Sequence, residues 1–134
     1  MVFRAGTHLW VPYLTIRLGA GRHRTPSFPA LVDSGSPYCL FAASVGEFVG
    51  LDIESGSREE VFGMSAGIHE PAFFHRVSLF VEGEGIVETT VGFVKRLSVA
   101  GILGRIGFFD HFRVCLDHAN LPPVLEITRL HKPQ

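Results

Sequence analysis

The chain has 134 residues, 46% of them apolar and 19% charged, with a formal net charge of -1. That length fits one domain over residues 1–134, large enough for a modest core. Near-neutral charge without a Lys/Arg cluster argues against a nucleic-acid partner, and no uninterrupted apolar run approaches membrane-spanning length.

Fifteen Gly and eight Pro break the chain into short pieces rich in β-branched and aromatic residues, a mostly-β pattern. Residues 9 to 18 alternate, with Trp10, Leu14, Ile16 and Leu18 on one side of a strand and Tyr13, Thr15 and Arg17 on the other. Gly19-Ala20-Gly21 reads as a hairpin turn, and a second strand runs to Val32, made irregular early by Pro26 and Pro29. Residues 44 to 50 suit a short helix, with capping-box spacing between Ser44 and Glu47 and an apolar stripe of Val45, Phe48 and Val49. Arg58 to Met64 and Ile68 to Val81 read as strands flanking the small-residue turn Gly63-Met64-Ser65-Ala66-Gly67. In the second of them Val77, Leu79 and Val81 alternate with Ser78, Phe80 and Glu82. After a turn at Glu82-Gly83-Glu84-Gly85, Ile86 to Val94 forms another strand. The apolar run Val99 to Leu103 ends at Gly104, and Arg105 to Phe112 has helical spacing of Ile106, Phe109 and Phe112. Arg113 to Leu116 and Val124 to Leu130 close the chain as strands around a polar turn. Many short strands and one or two short helices predict an all-β fold, a closed or orthogonally packed barrel.

The feature richest in chemistry is Asp33-Ser34-Gly35, at the end of the apolar run Phe28-Pro29-Ala30-Leu31-Val32. Asp-Ser-Gly alone is common in ordinary turns. Here a buried strand delivers the acid, a Gly-rich hairpin follows some thirty residues later, and Ala100-Gly101-Ile102-Leu103-Gly104-Arg105 comes late in the chain. Hydrolysis by a carboxylate pair needs two acids that share one proton, and two close carboxylates cannot both ionise easily. The motif occurs once, so on that chemistry the active site would be shared between two chains.

Leu31-Val32-Asp33-Ser34-Gly35-Ser36 together with Ile102-Leu103-Gly104-Arg105 resembles the retropepsin-like aspartic proteases, the single-domain relatives of pepsin that include the retroviral enzymes. The order of hairpin, catalytic loop, flap hairpin, apolar-apolar-Gly segment and final strand is similar too, over roughly residues 9 to 130. The resemblance implies an aspartic endopeptidase acting as a homodimer on an extended peptide, with no metal or organic cofactor. Asp33 would be the catalytic acid, Ser34 would clamp the two catalytic loops together, and Gly35 would contact substrate backbone. Gly63, Met64, Ser65, Ala66 and Gly67 would form the flap tip over the substrate. Ile102, Leu103 and Gly104 would pack beneath the loop, and Arg105 would anchor a helix start near the dimer interface. Val124 to Leu130 is the candidate interface strand. The alternative is a catalytically silent dimerisation or peptide-binding module on the same fold.

Two departures stand out. Retroviral members usually follow the catalytic Gly with Ala-Asp or Ala-Asn, where this chain has Ser36-Pro37-Tyr38, and Ile106-Gly107 follow Arg105 where Asp or Asn is frequent. The acid that can pair with that Arg is missing. The chain is also longer than compact retroviral proteases and looks more like a cellular, bacterial-type member.

Other readings are weaker. Asp52, Asp110 and Asp117 do not follow buried strands into Ser/Thr-Gly and read as turn or surface residues. His69 and His75 match no recognised zinc spacing. Phe73-Phe74 and Phe108-Phe109 read as core. Cys39 and Cys115 read as free thiols packed as small hydrophobes, without local support for a lowered pKa. The opening Met1 to His8 lacks the apolar core of a signal peptide, and the expected compartment is the cytoplasm.

Overall fold

The computed structural model describes residues 2–4, 7–62 and 69–131. Strands β1 (Val2–Arg4) and β2 (Thr7–Leu9) pair antiparallel as a separate small sheet. The main sheet contains β3 (Tyr13–Ala20), β4 (His23–Arg24), β5 (Phe28–Val32), β6 (Leu40–Ala42), β7 (Ser57–Phe62), β8 (His69–Val81), β9 (Gly85–Val94) and β10 (Gly101–Leu103). Between β6 and β7 lie the helix α1 (Ala43–Phe48) and a 3-10 turn at Ile53–Ser55. The hairpin of β11 (Phe112–Asp117) and β12 (Val124–Arg129) forms a third sheet.

Six strands close into a mixed barrel in the order β3-β5-β10-β6-β9-β8, with β8 returning to β3. The all-β expectation holds. β5 with β10 and β6 with β9 run parallel, and the other pairs of the ring are antiparallel. Closure removes the edges that an open sheet of this size would expose. β4 and β7 extend β3 and β8 outside the ring. The alternation along β8 is the one the sequence shows, with Val77, Leu79 and Val81 buried. They meet Ile16 and Leu18 of β3 and Val87, Val91 and Phe93 of β9 in one core cluster.

Local details differ from expectation. Gly19 and Ala20 remain in β3, and the turn falls at Gly21-Arg22 because Ala20 pairs with His23. Trp10 lies before β3 rather than within it. The capping box does not form: α1 begins at Ala43 with Ala42 as N-cap, no side chain caps it, and Ser44 falls inside the first turn. β6 ends at Ala42, so the exit of the strand sets the helix start. Phe48 is exposed, and the helix buries Ala43 and Gly46 instead.

The largest correction concerns Arg105 to Phe112, which is a series of turns and not a helix. Ile106 makes a parallel bridge with Tyr38 and is 56% exposed. Gly107 has φ 110, in the left-handed half of backbone space where a helix cannot continue. Its amide donates to Asp110 Oδ1 at 3.0 Å, which holds the turn. Across it the Phe109 and Asp110 amides reach back five residues to the Gly104 and Arg105 carbonyls at 3.1 and 3.2 Å, and one α-type bond follows, from the Phe112 amide to the Phe108 carbonyl at 3.0 Å. The expected face of Ile106, Phe109 and Phe112 does not form: Ile106 is exposed and Phe109 half-buried, and the buried pair is Phe108 and Phe112, whose rings stack at 5.0 Å between centroids in the core.

Phe108→Ala should therefore cost about 3–5 kcal/mol of stability, the range for deleting a buried phenyl ring. Ile106→Ala should cost less than about 1 kcal/mol, because it sits on the surface. Urea denaturation at one fixed protein concentration checks the pair; equal costs would mean that Ile106 packs inward.

Candidate active site

Strand β5 brings Leu31 and Val32 to Asp33. Leu31 pairs with Ile102 and Val32 with Leu103 in parallel register. The Asp33 amide continues the ladder, donating to the Leu103 carbonyl at 2.9 Å. Val32 and Leu103 are buried, so the base of the loop is set in the core. Farther along, the amides of Arg105 and Ile106 donate to the carbonyls of Ser36 and Pro37, each at 2.9 Å. Residues 103–106 thus run beside residues 33–37 and hold the loop at both ends.

Inside the loop the Ser36 amide donates to the Asp33 carbonyl at 3.1 Å. The Gly35 amide donates to Asp33 Oδ1 at 2.9 Å, which orients the carboxylate. Asp33 Oδ2 has no partner among the described residues, and the side chain is half-buried. Ser34 and Gly35 are exposed beside it. Gly35 does not use a positive φ; a Cβ there would stand 3.1 Å from Asp33 Oδ1, so the missing side chain leaves that oxygen room.

The Ser34 hydroxyl does not brace its own loop, since it makes no hydrogen bond among the described residues. The brace is Ser36, which is fully buried and donates its hydroxyl to the Tyr38 carbonyl at 2.7 Å. Gly104 is held close to this segment: a Cβ on it would collide with the carbonyl oxygens of Tyr38 and Ser36. Its amide donates to Cys39 Sγ at 3.3 Å. The bond between Gly104 and Cys39 spans 65 residues of sequence, and no local pattern announces it.

Ile102 is half-buried, Leu103 and Gly104 are buried, and Arg105 is exposed. No helix starts at Arg105, so its expected role as a helix anchor has no counterpart. The tip Gly63 to Gly67 lies outside the described residues, while the arms of that hairpin pair up to Phe62 with His69. The other aspartates serve turns: Asp110 accepts from Gly107, and Asp117 accepts from Ala119 and Asn120. His75 Nε2 lies 2.8 Å from the Ile53 carbonyl. Among the described residues no group of His, Cys, Asp or Glu is arranged to hold a metal ion.

Both cysteines are free. Burial pushes the Cys39 thiol up to about 12, against a weaker opposite effect of its hydrogen bond with Gly104. A thiol so protonated is a packing group and not a nucleophile. Cys115 is exposed, contrary to the expectation that it packs as a small hydrophobe, because β11 turns Val114 toward the core and the neighbouring Cys115 to the opposite face.

No family model matches the chain, and no curated protein matches it in sequence. Among solved structures it is similar to the EIAV protease complexed with the inhibitor HBY-793, a retroviral protease, with 15% identity and a TM-score of 0.53 over 72% of this chain and 83% of that one. At that identity the likeness speaks for the fold. The chain has the retropepsin-like acid protease fold.

In the native protein a thiol reagent should label Cys115 and leave Cys39 untouched, with both reacting after denaturation. The raised Cys39 pKa also gives a signed pH effect. Stability is intact below the thiol's unfolded pKa near 9 and is lost as pH rises toward about 12, since the unfolded thiol ionises first. Over that window the stability of Cys39→Ala should fall less steeply, by up to about 1.4 kcal/mol per pH unit. Parallel slopes for the two proteins would show that Cys39 is not buried as described.

Proposed function

We propose that the protein is an aspartic endopeptidase whose active site is a pair of Asp33 carboxylates, one from each subunit of a homodimer. The observation that carries this reading is the Asp33 loop itself. It presents one oriented, half-buried carboxylate with a free oxygen, on a backbone fixed from both sides by residues 103–106. The chain contains the motif once, so a C2 axis between two copies supplies the second acid. One ionised Asp33 takes a proton from water while its protonated partner donates to the scissile carbonyl. The reaction needs neither metal nor organic cofactor.

The remaining roles follow from position. The exposed Ser34 hydroxyl, without a partner among the described residues, is free to bond across the axis to the other loop. Gly35 lies open to substrate backbone. The β7–β8 hairpin reaches toward its Gly63 to Gly67 tip and closes over an extended peptide. β12 pairs with β11 alone among the described strands, so its other edge is open to an interface sheet. Each chain is one domain, and two unpaired thiols suit the reducing cytoplasm. The retroviral neighbour bears on fold and not on origin.

Incubated with a diverse peptide library between about pH 4 and 7, the range in which a carboxylate dyad works, the protein should cleave peptides. Asp33→Asn should lose cleavage and remain folded. Equal cleavage by both would place the activity elsewhere, and a stable dimer that cleaves nothing would identify the silent module.

Ser34→Ala should weaken the dimer about tenfold or more, since two reciprocal hydrogen bonds are lost at once. Sedimentation over a dilution series reads this directly, and an unchanged dimer constant would remove Ser34 from the interface.

A further inference from the structure

Beside the Asp33 loop lies a cavity of about 380 Å³. Pro37 and Tyr38 of the loop, Leu40 of β6 and Val61 of β7 form its walls, and two charged residues stand in the lining, Glu60 and Arg105. The two charges are not equivalent. The Glu60 carboxylate is 2.9 Å from the Arg58 guanidinium, so a cation already answers it. Arg105 is exposed, and its guanidinium has no ion pair or hydrogen bond among the described residues. The lining therefore carries an unanswered positive charge.

The residue that carries this charge is anchored by its backbone. The Arg105 amide is bonded to the Ser36 carbonyl, which fixes its backbone beside the loop three residues beyond Asp33. A guanidinium presents a planar fork of donors that fits a carboxylate through two parallel hydrogen bonds. In the same lining Pro37 has no amide hydrogen, and the Gly35 and Ser36 amides are already committed to Asp33. The apolar walls of Tyr38, Leu40 and Val61 suit the methylene stem of a side chain with a polar head.

We infer that Arg105 is a specificity-determining residue that binds a carboxylate of the substrate in this cavity, close to the scissile bond. The inference rests on the reading of Asp33 as the catalytic acid. Two sources carry that chemistry, an Asp or Glu side chain and the free C-terminus of a short peptide.

The test uses two pools of randomised decapeptides, one capped at both ends and one with free C-termini. The full chain is assayed for cut sites by mass spectrometry, and the Asp33→Asn protein for the peptides it retains. Acidic residues should be enriched at one fixed distance from the cut in the capped pool. Replacing that Glu by Gln should lower kcat/KM about tenfold or more, the worth of a charged hydrogen-bonded pair. In Arg105→Gln the Glu-to-Gln ratio should fall to near one whatever the absolute rate, and Arg105→Lys should keep a ratio between the two. Enrichment confined to the free-ended pool, and lost in Arg105→Gln, assigns the carboxylate to the chain end. Enrichment of Lys or Arg, no enrichment, or a preference that survives Arg105→Gln overturns the inference while leaving the catalytic reading standing. If the parent cuts nothing, the retained peptides decide: Arg105-dependent retention of acidic peptides upholds the cavity without the catalysis, and its absence sinks both.

Discussion

The hydrogen bond from the Asp33 amide to the Leu103 carbonyl is the point on which the architecture turns. It ends the parallel ladder of β5 and β10, and that ladder is a necessary link in closing the six-stranded ring. An antiparallel pair can be made by a local hairpin, whereas a parallel pair must be brought together by a long excursion of chain. Here the excursion from Val32 to Gly101 contains β6, α1, β7, β8 and β9. The carboxylate is therefore placed by most of the chain at once, and its position is a property of the closed barrel more than of the tripeptide that carries it.

A second constraint sits just behind the loop. Gly104 lies so close to the carbonyls of Ser36 and Tyr38 that no side chain fits, and its amide is answered by the Cys39 thiol. The buried Ser36 hydroxyl, bonded to Tyr38, keeps that stretch from opening. Buried polar groups must be satisfied to be tolerated, and among the described residues no buried side-chain nitrogen or oxygen lacks a partner. Rigidity beneath the loop leaves the upper face, Asp33 Oδ2 with Ser34 and Gly35, as the part that is free to meet another group. A fixed base and an open top are what a shared site requires, because catalytic geometry tolerates little play.

Much of this was legible in sequence where a local pattern carried it. Val77, Leu79 and Val81 announced the buried face of β8 by strict alternation, and the run into Asp33-Ser34-Gly35 announced a strand ending in a loop. Periodicity misled at Arg105 to Phe112, where Ile106, Phe109 and Phe112 have helical spacing, but Gly107 with its positive φ breaks the element and the buried rings are Phe108 and Phe112. The Ser44–Glu47 spacing failed for another reason: the strand leading into α1 fixes the start of the helix, and tertiary context overrides a cap signal. The closure of β8 onto β3 and the contact of Cys39 with Gly104 left no local trace, since each joins segments more than fifty residues apart. Nor could burial of Cys39 and exposure of Cys115 be separated from composition, because both depend on which face of each segment meets the core.

The open face also bears on what the catalytic entity is. A single carboxylate cannot at one moment accept a proton from water and donate one to a carbonyl; that division of labour belongs to a pair sharing one proton, and so do its apparent pKa values. In the proposed dimer the identical acids become unlike only through the proton they share, so symmetry of the fold and asymmetry of the chemistry coexist. Catalysis would then depend on protomer concentration as well as on geometry, since dissociation removes half of the site. In that proposal Asp33 on its fixed loop and Ser34, without a partner among the described residues, make up half a site.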